Sequence, residues 1–156
     1  MALPIIKKGD VFSLGLTKGI GFVQCIKESP QKEPEIIRIL PGVYKDGSEI
    51  DIKSIVLKKE LFFTQNPLKY TIRKKLITFV DNISIPADSE APRFYRTEYR
   101  IRHEFLGWHI VDSITMQRKL VSHLSHEESL LSPWGMISIP DIVERIENNW
   151  TPIEWI

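Results

Sequence analysis

From Val11 to Leu16 the chain alternates, with Phe12, Leu14 and Leu16 on one side and Ser13 and Gly15 on the other. That is the period of two expected of a half-buried strand. Phe22, Gln24 and Ile26 repeat the spacing, so Ile20–Ile26 reads as a second strand across the short connection Thr17-Lys18-Gly19. The polar stretch Lys27–Glu35, interrupted by Pro30 and Pro34, predicts an exposed loop. A third strand is predicted over Ile36–Leu40, ended by Pro41-Gly42, and Asp46-Gly47 supplies residues suited to a turn. Ile50–Leu57 and Leu61–Phe63 read as further strands.

Lys69–Lys75 fits either a short helix or an exposed strand, Leu76–Ile85 a strand, and Pro86–Pro92 a loop. Over Arg93–Phe105 the alternation is sharp. Tyr95, Thr97, Tyr99 and Ile101 share one face; Arg96, Glu98, Arg100 and Arg102 share the other. Trp108–Ile114 and Arg118–Leu124 fit a following antiparallel pair.

The last third changes period. Ser125 before His126, Glu127 and Glu128 resembles a helix N-cap with acids in the first turn. Pro140 opens a second helix, with Ile139, Ile142, Val143 and Ile146 at helical spacing and Trp150 extending the stripe. Strands first and helices later predict an α+β fold. The expected form is a mostly antiparallel, strongly twisted sheet or partial barrel, with two or three short helices, the clearest near the C-terminus. One domain spanning residues 1–156 is expected.

Composition adds bounds. At 156 residues, 42% hydrophobic and 26% charged, the chain can bury a core and does not read as disordered. The formal net charge of +1 argues against a strongly basic nucleic-acid binder. It also hides an asymmetry. Residues 1–78 carry 14 Lys/Arg and 8 Asp/Glu, and residues 79–156 carry 7 and 12, balances of +6 and −5. The acidic excess lies in the tail from Glu104, which can present a negative surface despite a neutral whole. A single cysteine, Cys25, forms no internal disulfide. The opening MALPIIKKGD is too short in apolar residues for a signal segment, and no run approaches the ~20 needed to cross a bilayer. A cytoplasmic address is expected, with no membrane partner.

Each candidate chemistry meets a structural alternative. Gly15, Gly19 and Gly21 suggest a phosphate loop, yet a strand follows where such a loop needs a helix, and no Lys-Ser/Thr pair completes the motif. Turn glycines are the better account. His123 and His126, with Glu127 and Glu128, lack the spacing of a zinc helix and a further ligand nearby, so no metal site or cofactor is expected. Cys25 sits in an apolar strand, where cysteine behaves as a small buried hydrophobe rather than a nucleophile. No catalytic residue is therefore assigned, and the chain is not expected to be an enzyme. The interleaved arginines and aromatics of Arg93–Arg102 fit either a solvated strand face or a face for phosphates and partners through Arg96, Arg100 and Arg102. The Lys69–Lys75 cluster carries the same ambiguity. Of four tryptophans, Trp108 reads as core, whereas Trp134 and Trp155 are candidate interface anchors.

Lys8-Gly9-Asp10-Val11-Phe12, followed by Gly19-Ile20-Gly21-Phe22-Val23-Gln24, resembles the start of the immunity protein 26 family of bacterial polymorphic-toxin systems. The resemblance covers the first 26 residues and, loosely, the late Trp-containing segment; Phe12, Phe22 and Trp108 would be the counterparts of that family's marked aromatics. It implies an α+β antidote that binds a cognate toxin domain and blocks it without catalysis. Many such toxins are nucleases with basic clefts. Glu127, Glu128, Trp134, Asp141, Glu144 and Glu147 are the candidate contact residues, with a solvated helix face as the alternative. The competing reading is a small nucleic-acid-binding module using the basic, aromatic strand; nucleic acid is the less expected partner.

Overall fold

The structure, a computed structural model, describes residues 4–29 and 33–155. The alternating strands near the start pair as expected: β1 (Asp10–Leu16) and β2 (Gly19–Lys27) form an antiparallel hairpin. They join β3 (Glu35–Ile39), β4 (Phe62–Asn66) and β5 (Ile77–Asn82) in a five-stranded sheet of order β4-β3-β2-β1-β5. A second antiparallel sheet contains β6 (Phe94–Ile101), β7 (Glu104–Asp112) and β8 (Arg118–Val121). The molecule is thus α+β and antiparallel, with its strands divided between two sheets. None of its helices is long and apolar enough to cross a membrane, among the described residues.

Both faces of the larger sheet are covered across its central strands. Phe12, Val23, Ile39 and Phe62 stand abreast on one face. Over them lie Leu68 of α2 (Leu68–Arg73) and Ile142 and Ile146 of α4 (Ile139–Glu147). Full burial of each aliphatic side chain stabilises by roughly 1.5–3 kcal/mol. Val11, Phe22 and Leu40 line the opposite face under Ile55 and Val56 of α1 (Ile52–Val56). β2 is consequently buried without a break from Gly21 to Ile26. Two glycines earn their places by close approach. A Cβ at Gly19 would stand 2.2 Å from the Tyr44 carbonyl oxygen, where Ile20 and Tyr44 exchange backbone bonds of 2.8 and 2.9 Å. At Gly21 it would stand 3.3 Å from Ile146, so α4 rests directly on the strand. These are packing glycines, and neither opens a helix.

Three expectations are corrected. Ile50–Leu57 contains a helix, not a strand: Asp51 caps α1 by accepting from the Ser54 N–H at 3.3 Å, and Ile52, Ile55 and Val56 recur at helical spacing. Glu35 is a buried strand residue rather than part of an exposed loop, because its Oε1 accepts from the Leu68 N–H (2.9 Å) at the start of α2; Pro30 lies outside the described residues. Leu76–Ile85 shortens to β5, and after Ile77 every residue of that strand is exposed. Lys69–Lys75 resolves as helix, ending where Lys75 takes a φ of 58°.

Arg38 is the buried polar centre of the larger sheet. It donates to Gln24 Oε1 (2.7 Å), to the carbonyls of Val56 (3.0 Å) and Lys58 (2.6 Å), and to Glu60 Oε1 (3.2 Å). Gln24 passes the network on by donating to the Ile83 carbonyl at 2.7 Å. Burial lowers the Arg38 pKa and Glu60 opposes the shift. One short segment, Ser132–Met136, seals an edge of each sheet. Ser132 Oγ accepts from the Phe63 N–H (2.9 Å) and the Gly135 carbonyl from the Gln65 N–H (3.3 Å), along β4. On β6, the Arg96 N–H donates to the Ser132 carbonyl (3.1 Å) and the Trp134 N–H to the Arg96 carbonyl (2.8 Å).

Candidate interaction surface

α4 forms where Ser138 accepts from the Asp141 N–H at 3.3 Å and Pro140 occupies the first turn. With Ile142 and Ile146 turned inward, Asp141, Glu144 and Glu147 face out at intervals of three, all exposed. The only cation of the helix, Arg145, does not share that face. Its guanidinium lies 4.2 Å from the Trp150 ring centroid and 5.5 Å from that of Phe62, and the two rings meet edge to face at 5.2 Å. Burial lowers the Arg145 pKa against the pull of Asp141 and Glu144. The outer surface of α4 is therefore a compact acidic strip. Glu147, in the last turn, stands where the helix dipole disfavours an anion, and it accepts from Thr17 Oγ1 at 3.0 Å.

The other acidic candidates sit elsewhere. α3 (His126–Ser129) carries Glu127 exposed in its first turn. Glu128 closes a capping box: its Oε1 accepts from the Ser125 N–H (2.8 Å), and Ser125 Oγ accepts from the Glu128 N–H (3.1 Å). α3 is tied to the smaller sheet, since the Ser129 carbonyl accepts from Arg96, whereas α4 packs on the larger one. Trp134 is half-buried with its ring 5.2 Å from that of Tyr95.

Of the three arginines of the basic strand, one is withdrawn from the surface. Arg96 is fully buried. Its Nη2 donates to the carbonyls of Pro152 (2.6 Å), Trp155 (2.9 Å) and Ser129 (3.2 Å), and Nε to that of Leu131 (3.4 Å). The guanidinium lies between the rings of Trp108 and Trp155, 4.4 and 4.6 Å from their centroids. Burial pushes its pKa down to about 10, with Glu98 opposing. Trp155 is thus a lid over an internal cation rather than a free anchor. Arg100 pairs with Glu98 at 2.9 Å and Arg93 with Asp112 at 2.9 Å; Arg102 is exposed on the β6–β7 turn with a φ of 49°. Ile101, assigned by alternation to the packed face, is 48% exposed.

Cys25 is fully buried, and desolvation, reinforced by Glu35, raises its thiol to about 12. His123 lies in a shallow groove beside Glu98, Arg100 and Trp108, while His126 opens α3. Among the described residues, no group of three or more His, Cys, Asp or Glu side chains is placed to hold a metal ion. No protein-family model, curated protein or solved structure matches this chain.

Proposed function

We propose that this chain is an immunity-type antidote that binds a cognate bacterial toxin domain and neutralises it by stoichiometric occlusion in the cytoplasm of the producing cell. The reading rests on the resemblance of Lys8–Phe12 and Gly19–Gln24 to the immunity protein 26 family, and one geometric observation carries it. Asp141, Glu144 and Glu147 form a rigid anionic strip from which Arg145 has been withdrawn onto Trp150 and Phe62. A toxin that handles nucleic acid presents a basic cleft, and such a strip supplies the complementary charge that steers encounter and orients docking. A binding role of this kind needs no turnover by the antidote itself.

The test is co-expression with the product of the neighbouring reading frame. That product alone should arrest growth, and this chain should restore it. The triple variant D141K/E144K/E147K should stay folded, lose protection, and lose the salt dependence of binding. A harmless neighbour, or undiminished protection by the folded triple variant, overturns the proposal.

A further inference from the structure

The sheet edges are treated unequally. Ser132–Met136 seals β4 and β6. β8 is an edge of only four residues that carries Arg118 and Lys119, the short and charged form that resists pairing. β5 has neither protection. It is the terminal strand of the larger sheet, and among the described residues nothing pairs with its outer edge. It has no lysine or arginine, and Phe79 and Val80 are 54% and 39% exposed. Its guards, a bulge at Val80 where the register with β1 shifts and the exposed Asp81, both lie toward its C-terminal end. Ile77, Thr78 and Phe79 remain in regular register with Leu14, Ser13 and Phe12.

The regular stretch runs directly into cations. Arg73, Lys74 and Lys75 are exposed at its N-terminal end, with Leu76 and Tyr70 also exposed and Lys74 Nζ 5.4 Å from the Tyr70 ring centroid. Unpaired backbone groups, uncovered apolar side chains and a cationic end together define an occupant: an extended backbone, apolar along its length and acidic at one end. A second copy fits poorly. Two-fold pairing is antiparallel, so each strand would return only Asp81 to the other's Arg73, Lys74 and Lys75, one carboxylate against three cations. A nucleic acid would meet the cations and leave the strand edge unpaired.

We propose that the outer edge of β5, over Ile77–Phe79, receives an extended segment of a protein partner as an added antiparallel strand, with carboxylates at the C-terminal end of that segment meeting Arg73, Lys74 and Lys75. An antiparallel strand continues the pattern of the whole sheet and brings its C-terminal end to those cations. The site is separate from the α4 strip, so either assignment stands if the other fails.

The probes are two short synthetic peptides that alternate Val and Thr, one ending in a run of Glu and the other in a run of Lys. Each is titrated to millimolar concentration into the ¹⁵N-labelled full chain. The Glu-ended peptide should shift the amides of Arg73–Phe79 and slow hydrogen exchange along β5. The exposed double variant K74E/K75E should bind it roughly tenfold more weakly and acquire affinity for the Lys-ended peptide. D141K/E144K/E147K should leave both titrations unchanged. Equal binding of the two peptides, shifts centred elsewhere, or no shift at millimolar peptide overturns the proposal. So does an oligothymidylate that displaces the peptide, or a peptide-free dimer that F79E dissociates.

Discussion

Arg96 grips Trp155 twice, with its guanidinium carbon 4.6 Å from the ring centroid and its Nη2 donating to the Trp155 backbone carbonyl at 2.9 Å. Neutral carbonyls and two indole faces, rather than a carboxylate, thus surround a fully buried cation. Only a planar, forked side chain can stack between Trp108 and Trp155 while reaching carbonyls on two separate segments. Arg96→Lys keeps the charge and loses that geometry. It should destabilise the fold by about 2–4 kcal/mol, read as a lowered urea midpoint at unchanged slope. A midpoint equal to wild type would show that the clasp contributes nothing.

The thiol of Cys25 sets a pH dependence whose sign can be worked out. In the unfolded chain it ionises near its ordinary value of 9.0, whereas in the fold burial holds the proton until about 12. Between those values the unfolded state has released a proton that the folded state retains, so stability falls as pH rises, by up to about 1.4 kcal/mol per unit. Cys25→Ala removes that component. Urea titrations of both proteins at pH 8 and pH 10.5 should show the wild type losing more. Parallel losses would mean that the thiol is not protected.

Glu60 answers Arg38 at 3.2 Å with only 6% of its side chain exposed. Removing one member of a buried pair leaves the other charge uncompensated. Glu60→Ala should therefore cost about 3 kcal/mol, although the carbonyls of Val56 and Lys58 still hold the guanidinium. Glu60→Gln, which keeps an acceptor, should cost less. Thermal unfolding of the two variants checks the order.

Asp112 is the hub of the β7–β8 turn. Arg93 donates to its Oδ2, the chief reason its pKa falls to about 2, and its Oδ1 accepts from the N–H groups of Ile114 (2.9 Å) and Thr115 (3.2 Å). The folded-state value is depressed, so its contribution is present above the ordinary 3.8 and disappears as pH falls through about 2. An NMR titration of the Asp112 carboxyl should show that midpoint, and Arg93→Ala should move it upward. A midpoint near 3.8 in the wild-type chain would contradict the geometry.

What the sequence made legible was local. The β1–β2 hairpin announced itself by alternation, and α4 by helical spacing around Pro140. Ile50–Leu57 was misread because five residues of helix are too few for a period to emerge from β-branched side chains, and the Asp51 cap decided the matter. Arg96 was the instructive miss. Alternation correctly separated it from Tyr95, yet the carbonyls its side chain bonds lie 33 to 59 residues further along the chain, beyond any local window. The same non-locality hid the division into two sheets and the inward turn of Arg145. It also hid that β5, with apolar Ile77, Phe79 and Val80, stands uncovered at an edge.

The seal formed by Ser132–Met136 has a temporal consequence. Synthesis runs from the N-terminus, so β4 and β6 leave the ribosome well before the residues that close them. Until Ser132–Met136 arrives, the edges of β4 and β6 stay as bare as that of β5, and a chain halted before that segment emerges would hold out an adhesive intermediate.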